Sequence, residues 1–238
     1  MIKLIAFDLD GTLTQHKTPL EKENRAVLDE LVARGYKLLM VGAGQCARIF
    51  RQMGEYPIDI IGNYGLQEAA YEKETATLRT VRDLSFPVDR ESVKARVDML
   101  RQKHGFTVYS GESVEFHPSG CVTFAILGTQ AKQADKLAFD PDRSKRRAIY
   151  DEVVATFPEY TVFVGGSSSF DMAPAPYDKR YALEEYCKET GFSPDEVLFI
   201  GDDYGEGGND ESVYLSDFSF LTIDDYRTFP EITKFLLD

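Results

Sequence analysis

A chain of 238 residues with 43% hydrophobic and 28% charged residues has an ordinary globular composition, with room for one large domain or two modest ones. Its formal net charge of −13 argues against nucleic acid and anionic membranes as partners, because the field repels phosphate polymers; a small phosphate ester would need a local cation. No apolar stretch approaches the roughly 20 residues of a membrane span, and the amino terminus opens on a strand instead of a basic-then-apolar leader, so a cytoplasmic protein is expected. Cys46, Cys121 and Cys187 are scattered without a CxxC pair, and are expected as buried thiols.

The apolar run Ile2 to Phe7 predicts a first strand, and Asp8-Leu9-Asp10-Gly11-Thr12 follows on its carboxyl end, the edge where α/β sheets place their chemistry. Thr18-Pro19-Leu20-Glu21 reads as a capping box with Pro at the first helical position, opening a helix that carries Val27, Leu28 and Leu31 on one face and ends at Gly35. Lys37 to Val41 predicts a strand, Arg48 to Met53 lies in a short helix, and Ile58 to Ile61 predicts a third strand. This βαβαβ order predicts a Rossmann-like, doubly wound parallel sheet covered by helices.

The middle of the chain changes character. A helix is predicted from Asp89 to Lys103, with Val93, Val97 and Leu100 on one face, then strands at Phe106 to Tyr109, Ser113 to Phe116 and Cys121 to Leu127. A helix from Arg143 to Thr156 and strands at Tyr160 to Val164 and Ser168 to Met172 complete it. Consecutive strands without an intervening helix pair antiparallel, which predicts an inserted α+β cap. Arg143, Lys145, Arg146 and Arg147 are expected on the wet face of its helix. The βα alternation then returns: a helix from Lys179 to Thr190 ended by Gly191, a strand at Val197 to Ile200, a helix from Asp210, a strand at Phe218 to Thr222 and a helix at Pro230 to Leu237. The expected plan is a catalytic core of residues 1–84 and 175–238 with a cap of residues 85–174, joined through the proline-bearing segments Leu84-Ser85-Phe86-Pro87 and Ala173-Pro174-Ala175-Pro176.

Asp8 and Asp10 repel each other unless a cation lies between them, or unless one is a nucleophile and the other carries a proton. The second acidic cluster, Asp202 through Asp210 with its glycines, follows another apolar strand; parallel strands bring both clusters to one edge, and hard oxygen donors suit Mg²⁺. Turn-capping aspartates and a flexible acidic loop are the plainer alternatives. Lys179, at a helix start, is a candidate fixed cation for phosphate; a plain surface lysine is the alternative.

With these residues the chain resembles the haloacid dehalogenase superfamily of phosphotransferases over its full length: Asp8 to Thr12 match the first motif, Lys179 the third and Asp202 to Asp210 the fourth. Within it, Gly165 to Asp171, Asp178-Lys179-Arg180-Tyr181 and Gly207-Gly208-Asn209-Asp210 are similar to the α/β-capped branch of eukaryotic-type phosphomannomutases and sugar-phosphate phosphatases. The resemblance implies Asp8 as nucleophile and Asp10 as acid and base. It places Mg²⁺ on Asp8, the Asp10 carbonyl and Asp202, with Asp210 and Asn209 orienting its waters or Lys179. It also implies phosphate contacts from Gly44 and Gln45, and a sugar read by Ser169 and Asp171. The partner is a small phosphate ester, and the chain a monomer or homodimer.

Two departures bear on the reaction. Gly42-Ala43-Gly44-Gln45 lacks the usual Ser or Thr of the second motif, and residues 115–129 contain no Arg, with His117 and Thr129 where arginines are expected. Without fixed cations a bisphosphate intermediate is poorly held, so the expectation is a Mg²⁺-dependent sugar-phosphate phosphatase, with a hexose-phosphate mutase as the alternative. His117 is expected to be a solvated strand residue. A receiver-type phosphoacceptor domain fits poorly because Asp8 ends the first strand and a long insertion follows. A degenerate scaffold is the other contrast.

Overall fold

The computed structural model describes residues 1–237, and its elements alternate in the expected βα rhythm. In chain order they are β1 (Leu4–Phe7), α1 (Lys22–Ala33), β2 (Lys37–Val41), α2 (Cys46–Gln52), β3 (Asp59–Gly62), β4 (Gln67–Glu72) and β5 (Thr77–Asp83). Then come α3 (Arg90–His104), β6 (Val114–Phe116), β7 (Val122–Ala125), α4 (Gln133–Phe139), α5 (Ser144–Arg147), α6 (Tyr150–Thr156), β8 (Tyr160–Phe163) and β9 (Ser169–Pro174). The chain closes with α7 (Lys179–Thr190), β10 (Val197–Gly201), α8 (Glu211–Tyr214), β11 (Ser219–Thr222) and α9 (Phe229–Ile232). Two compact units result: Met1–Asp83 with Asp178–Gly205 and Asp210–Asp238, and Leu84–Tyr177 with Glu206–Asn209.

The first unit is built on a seven-stranded sheet in the order β11-β10-β1-β2-β3-β4-β5. Pairs among β11, β10, β1, β2 and β3 are parallel. Their strands are apolar on both faces: Ile5, Phe7, Leu38 and Met40 pack to one side with Leu28 and Leu31 of α1, while Leu4, Ala6, Leu39 and Phe199 pack to the other with Leu183 and Tyr186 of α7. Burial on both sides is why these strands read as near-continuous hydrophobic runs. The connection direction reverses between β1 and β10, the switch point at which such sheets bind ligands.

The second unit is a four-stranded antiparallel sheet in the order β6-β7-β9-β8. Val122, Phe124, Phe170 and Met172 bury one face with Val93, Val97 and Leu100 of α3 and Val153 of α6. By the two-residue alternation of strands, Thr123 and Asp171, which are register partners, lie on the opposite face.

Several expectations are corrected. Helix α1 begins only at Lys22, capped by Glu21 without a side-chain bond, because the Thr18 hydroxyl is spent on the carbonyl of Gln15 at 2.9 Å. Residues 67–83, for which no element was predicted, form the antiparallel β4–β5 hairpin at the sheet edge; β5 is largely exposed and polar, so no apolar run announces it. No strand forms at Phe106 to Tyr109; the Phe106 carbonyl instead accepts from the buried Arg101 at 2.8 Å. The helix predicted from Arg143 to Thr156 is two helices: Arg143, with a positive φ of 61°, lies before the first, and Ile149, with φ −120°, breaks the run between them. Within it Arg146 is wholly buried, not on a wet face. Helices α8 and α9 are single turns, and among the described residues no helix is long and apolar enough to cross a membrane. All three cysteines are free and buried.

Candidate active site

The register of the sheet assembles the acidic residues. Phe7 pairs with Ile200, and the Asp8 amide donates to the Ile200 carbonyl at 3.0 Å, so Asp8 and Asp202 leave adjacent parallel strands within one residue of the same level. Gly11, with φ +104°, lets the turn after Asp10 pass Asp202: a Cβ there would lie 2.3 Å from an Asp202 carboxylate oxygen. The Thr12 hydroxyl then donates to Asp202 Oδ1 at 3.0 Å.

Lys179 is the first residue of α7, whose amino end is capped by the Asp178 carboxylate accepting from the Tyr181 amide at 2.7 Å. Its ammonium is wholly buried and donates to Asp8 Oδ1 at 2.5 Å and Asp210 Oδ1 at 2.7 Å. A buried lysine flanked by two carboxylates keeps its proton: burial favours the neutral amine, but Asp210 and Asp8 outweigh it and hold the pKa above its ordinary value. Asp210 is also buried, and its second oxygen accepts from the Asp203 amide at 3.1 Å. The plainer reading of Lys179 as a surface residue is thus excluded.

Burial pushes the Asp8 carboxyl well up, opposed by Lys179 and reinforced by Asp210 and Asp202. Asp202 is pushed up to about 6, again by burial first and then by Asp210. One ammonium does not neutralise three carboxylates. Asp8, Asp202 and Asp210 each offer an oxygen within 4.8 Å of the others, a hard-donor set that fits Mg²⁺ and whose mutual repulsion a divalent cation would relieve.

Asp10 stands apart from this set. Its Oδ1 accepts from the Lys17 amide at 2.7 Å and from Gln52 Nε2 at 2.6 Å; Oδ2 faces Arg48 at 3.7 Å and His16 at 3.8 Å. The Asp10 carboxylate is therefore already engaged, and the backbone carbonyl is the metal donor that the resemblance assigns to this residue. Gln52 in turn accepts from Arg48 at 2.9 Å and donates to Thr14 Oγ1 at 3.2 Å. The sequence reading missed His16, Arg48 and Gln52. Only the i, i+4 spacing of Arg48 and Gln52, on the helix after the second strand, hinted at a shared face there.

The remaining predicted residues are placed as follows. The Gly44 carbonyl accepts from the Asn63 amide at 2.8 Å, and a Cβ on Gly44 would meet the Arg48 guanidinium at 2.1 Å. Gln45 is exposed at the start of α2 and lines, with Cys46, Gln67, Glu68 and Arg82, a cavity of about 120 Å³. Asn209 is half buried beside Asp210 in sequence. In the second unit the Ser169 hydroxyl donates to the Gly165 carbonyl at 3.1 Å, and Asp171 Oδ1 accepts from Thr123 Oγ1 at 2.9 Å. His117 is half buried, not solvated, with Nε2 3.1 Å from the same Thr123 hydroxyl.

The chain is 28% identical over 225 residues to the phosphomannomutase of Saccharomyces cerevisiae, covering 90% of this chain and 85% of the relative. It is 29% identical over 227 residues to that of Schizosaccharomyces pombe, covering 89% and 85%. Its fold is shared with a phosphatase of the haloalkanoate dehalogenase superfamily from Bacteroides thetaiotaomicron, with a TM-score of 0.66 at 15% identity over 99% of this chain and 95% of that one. It is shared likewise with the IMP-bound IMP-nucleotidase of Plasmodium falciparum, with a TM-score of 0.65 at 14% identity over 99% and 68%. Residues 38–234 match the eukaryotic phosphomannomutase family profile, and the chain belongs to that family, within the haloacid dehalogenase-like phosphotransferases.

Proposed function

We propose that this protein is a phosphomannomutase-type phosphotransferase that moves the phosphoryl group of a hexose phosphate through an aspartyl phosphate on Asp8. The observation that carries the reading is the buried Lys179 ammonium bonded to both Asp8 and Asp210. It holds Asp8 Oδ1, leaving the other oxygen as the nucleophile, and supplies a fixed positive charge beside the phosphoryl oxygens. Asp8, the Asp10 carbonyl and Asp202, with Asp210 behind them, would hold Mg²⁺, whose contribution is to neutralise charge on the transferring group. Asp10, oriented by Gln52 and the Lys17 amide, would give a proton to the leaving oxygen and then take one from the next acceptor. Backbone groups at Gly44 and Gln45 would contact phosphate, Asn209 would support the metal side, and Ser169 and Asp171 would read the sugar.

Family membership reverses the order of the two readings drawn from the sequence, placing the mutase before the phosphatase. One observation still favours hydrolysis. Arg146 cannot serve as a cap cation for a second phosphate, because it is wholly buried and committed to Asp140 and to three backbone carbonyls. The test is to supply mannose 1-phosphate with a catalytic amount of hexose bisphosphate and follow both products. The mutase reading expects mannose 6-phosphate with little free phosphate; stoichiometric phosphate without the 6-phosphate would establish the phosphatase.

A further inference from the structure

The second unit contains a fully buried arginine that the chemistry above does not use. Arg146 donates from Nε to Asp140 Oδ2 at 2.8 Å, and from Nη1 to the carbonyls of Gly165 at 2.6 Å, Gly166 at 3.2 Å and Ser169 at 3.1 Å. Its Nη2 lies 3.5 Å from the Asp140 carbonyl. Asp140, itself buried, is fixed in turn by the amides of Lys145 at 2.9 Å and Arg146 at 3.1 Å. A buried guanidinium with a single carboxylate partner is tolerated because the loop carbonyls take its other donors.

The loop that it grips carries the two side chains assigned to the sugar. The Gly165 carbonyl accepts from both Arg146 and the Ser169 hydroxyl, so the hydroxyl's direction depends on where Arg146 holds that oxygen. Gly165 also passes directly against Asp171: a Cβ there would lie 2.0 Å from Asp171 Oδ2. Gly166 follows with φ +49°, a conformation that glycine adopts readily. On the far side Asp171 is held by Thr123. Arg146 reaches Asp140 through Nε and the loop carbonyls through Nη1, two directions at once that a planar fork spans and the single ammonium of a lysine does not.

We propose that Arg146, anchored by Asp140, is a positioning residue that sets the Gly165–Ser169 loop and thereby the presentation of Ser169 and Asp171 to the sugar. The inference rests on the reading of Ser169 and Asp171 given above. Arg146→Lys keeps the charge and loses the fork. Asp140→Asn keeps the shape and loosens the anchor, and serves if the lysine variant does not fold. In either, kcat/KM for a hexose phosphate should fall about tenfold relative to kcat/KM for p-nitrophenyl phosphate, the scale of one lost hydrogen bond to a charged group. The loss should lie mainly in KM, and amide exchange across residues 165–171 should quicken while α3 stays protected. A ratio equal to wild type, or unchanged exchange in the loop, overturns the proposal. If the wild-type enzyme turns over neither ester, the functional reading fails, and the exchange measurement alone decides whether Arg146 holds the loop.

Discussion

The Lys179 ammonium lies 2.7 Å from Asp210 Oδ1 in a region where both side chains are shut off from solvent. Removing Asp210 leaves the buried ammonium with Asp8 but without one of its two carboxylate partners. Asp210→Ala should therefore cost part of the about 3–5 kcal/mol of a broken buried pair, read as a lowered denaturation midpoint of the first unit, and should weaken activity because Lys179 is held from one side only. An Asp210→Ala midpoint equal to wild type would mean that Asp8 alone suffices to hold the buried ammonium.

Asp8→Asn retains size and hydrogen bonding but removes the proposed nucleophile and one carboxylate charge. Turnover should fall by about four orders of magnitude or more, as when nucleophiles are lost from comparable sites. The circular dichroism spectrum should be unchanged. Acid quench of the wild-type enzyme with substrate should give a phosphorylated peptide containing Asp8, absent from the variant.

Gln52 donates to the Asp10 carboxylate, the group proposed to transfer protons. Gln52→Leu removes the 2.6 Å bond to Asp10 Oδ1 while keeping bulk on α2. If Asp10 transfers protons, the variant should lose part of the roughly 10²–10⁴-fold that acid–base catalysis supplies, seen in kcat more than in KM. Asp10→Ala should lose all of it, and the two losses should not add in the double variant.

Asp202 should give Mg²⁺ binding a pH dependence. Its pKa in the folded chain is raised to about 6 from the ordinary 3.8, so without metal its contribution is present below about pH 4 and is lost as pH rises through 6. Mg²⁺ held by these carboxylates would relieve that loss. The melting temperature should accordingly rise more on adding Mg²⁺ at pH 7.5 than at pH 5, with about 2.7 kcal/mol of stabilisation at a hundredfold excess over Kd. Equal shifts at both pH values would argue against a metal on these residues.

Much of the core was legible in the sequence because its signals are local. Strand β2 and helix α7 match the predicted ranges, since the strand is a short apolar run and the helix carries its Asp178 cap, its buried Leu183 and Tyr186 and its Gly191 terminator within its own residues. The meeting of Asp8 with Asp202 followed from a rule about parallel strands, because the carboxyl ends of such strands share one edge. What the sequence could not decide depends on residues far apart in the chain. The β4–β5 hairpin exists because β3 offers an unpaired edge, not because Thr77–Asp83 is apolar. Arg146 looks like one more cation in a basic run, and only the convergence of the Gly165, Gly166 and Ser169 carbonyls makes it a buried anchor. The same holds at Asp10: Gln52 lies 42 residues away, and only the packing of α2 against the β1 turn brings its amide to that carboxylate. Local patterns of apolarity and capping determine elements, whereas the partners of a buried polar group are chosen by whatever the tertiary fold places within a hydrogen bond's reach.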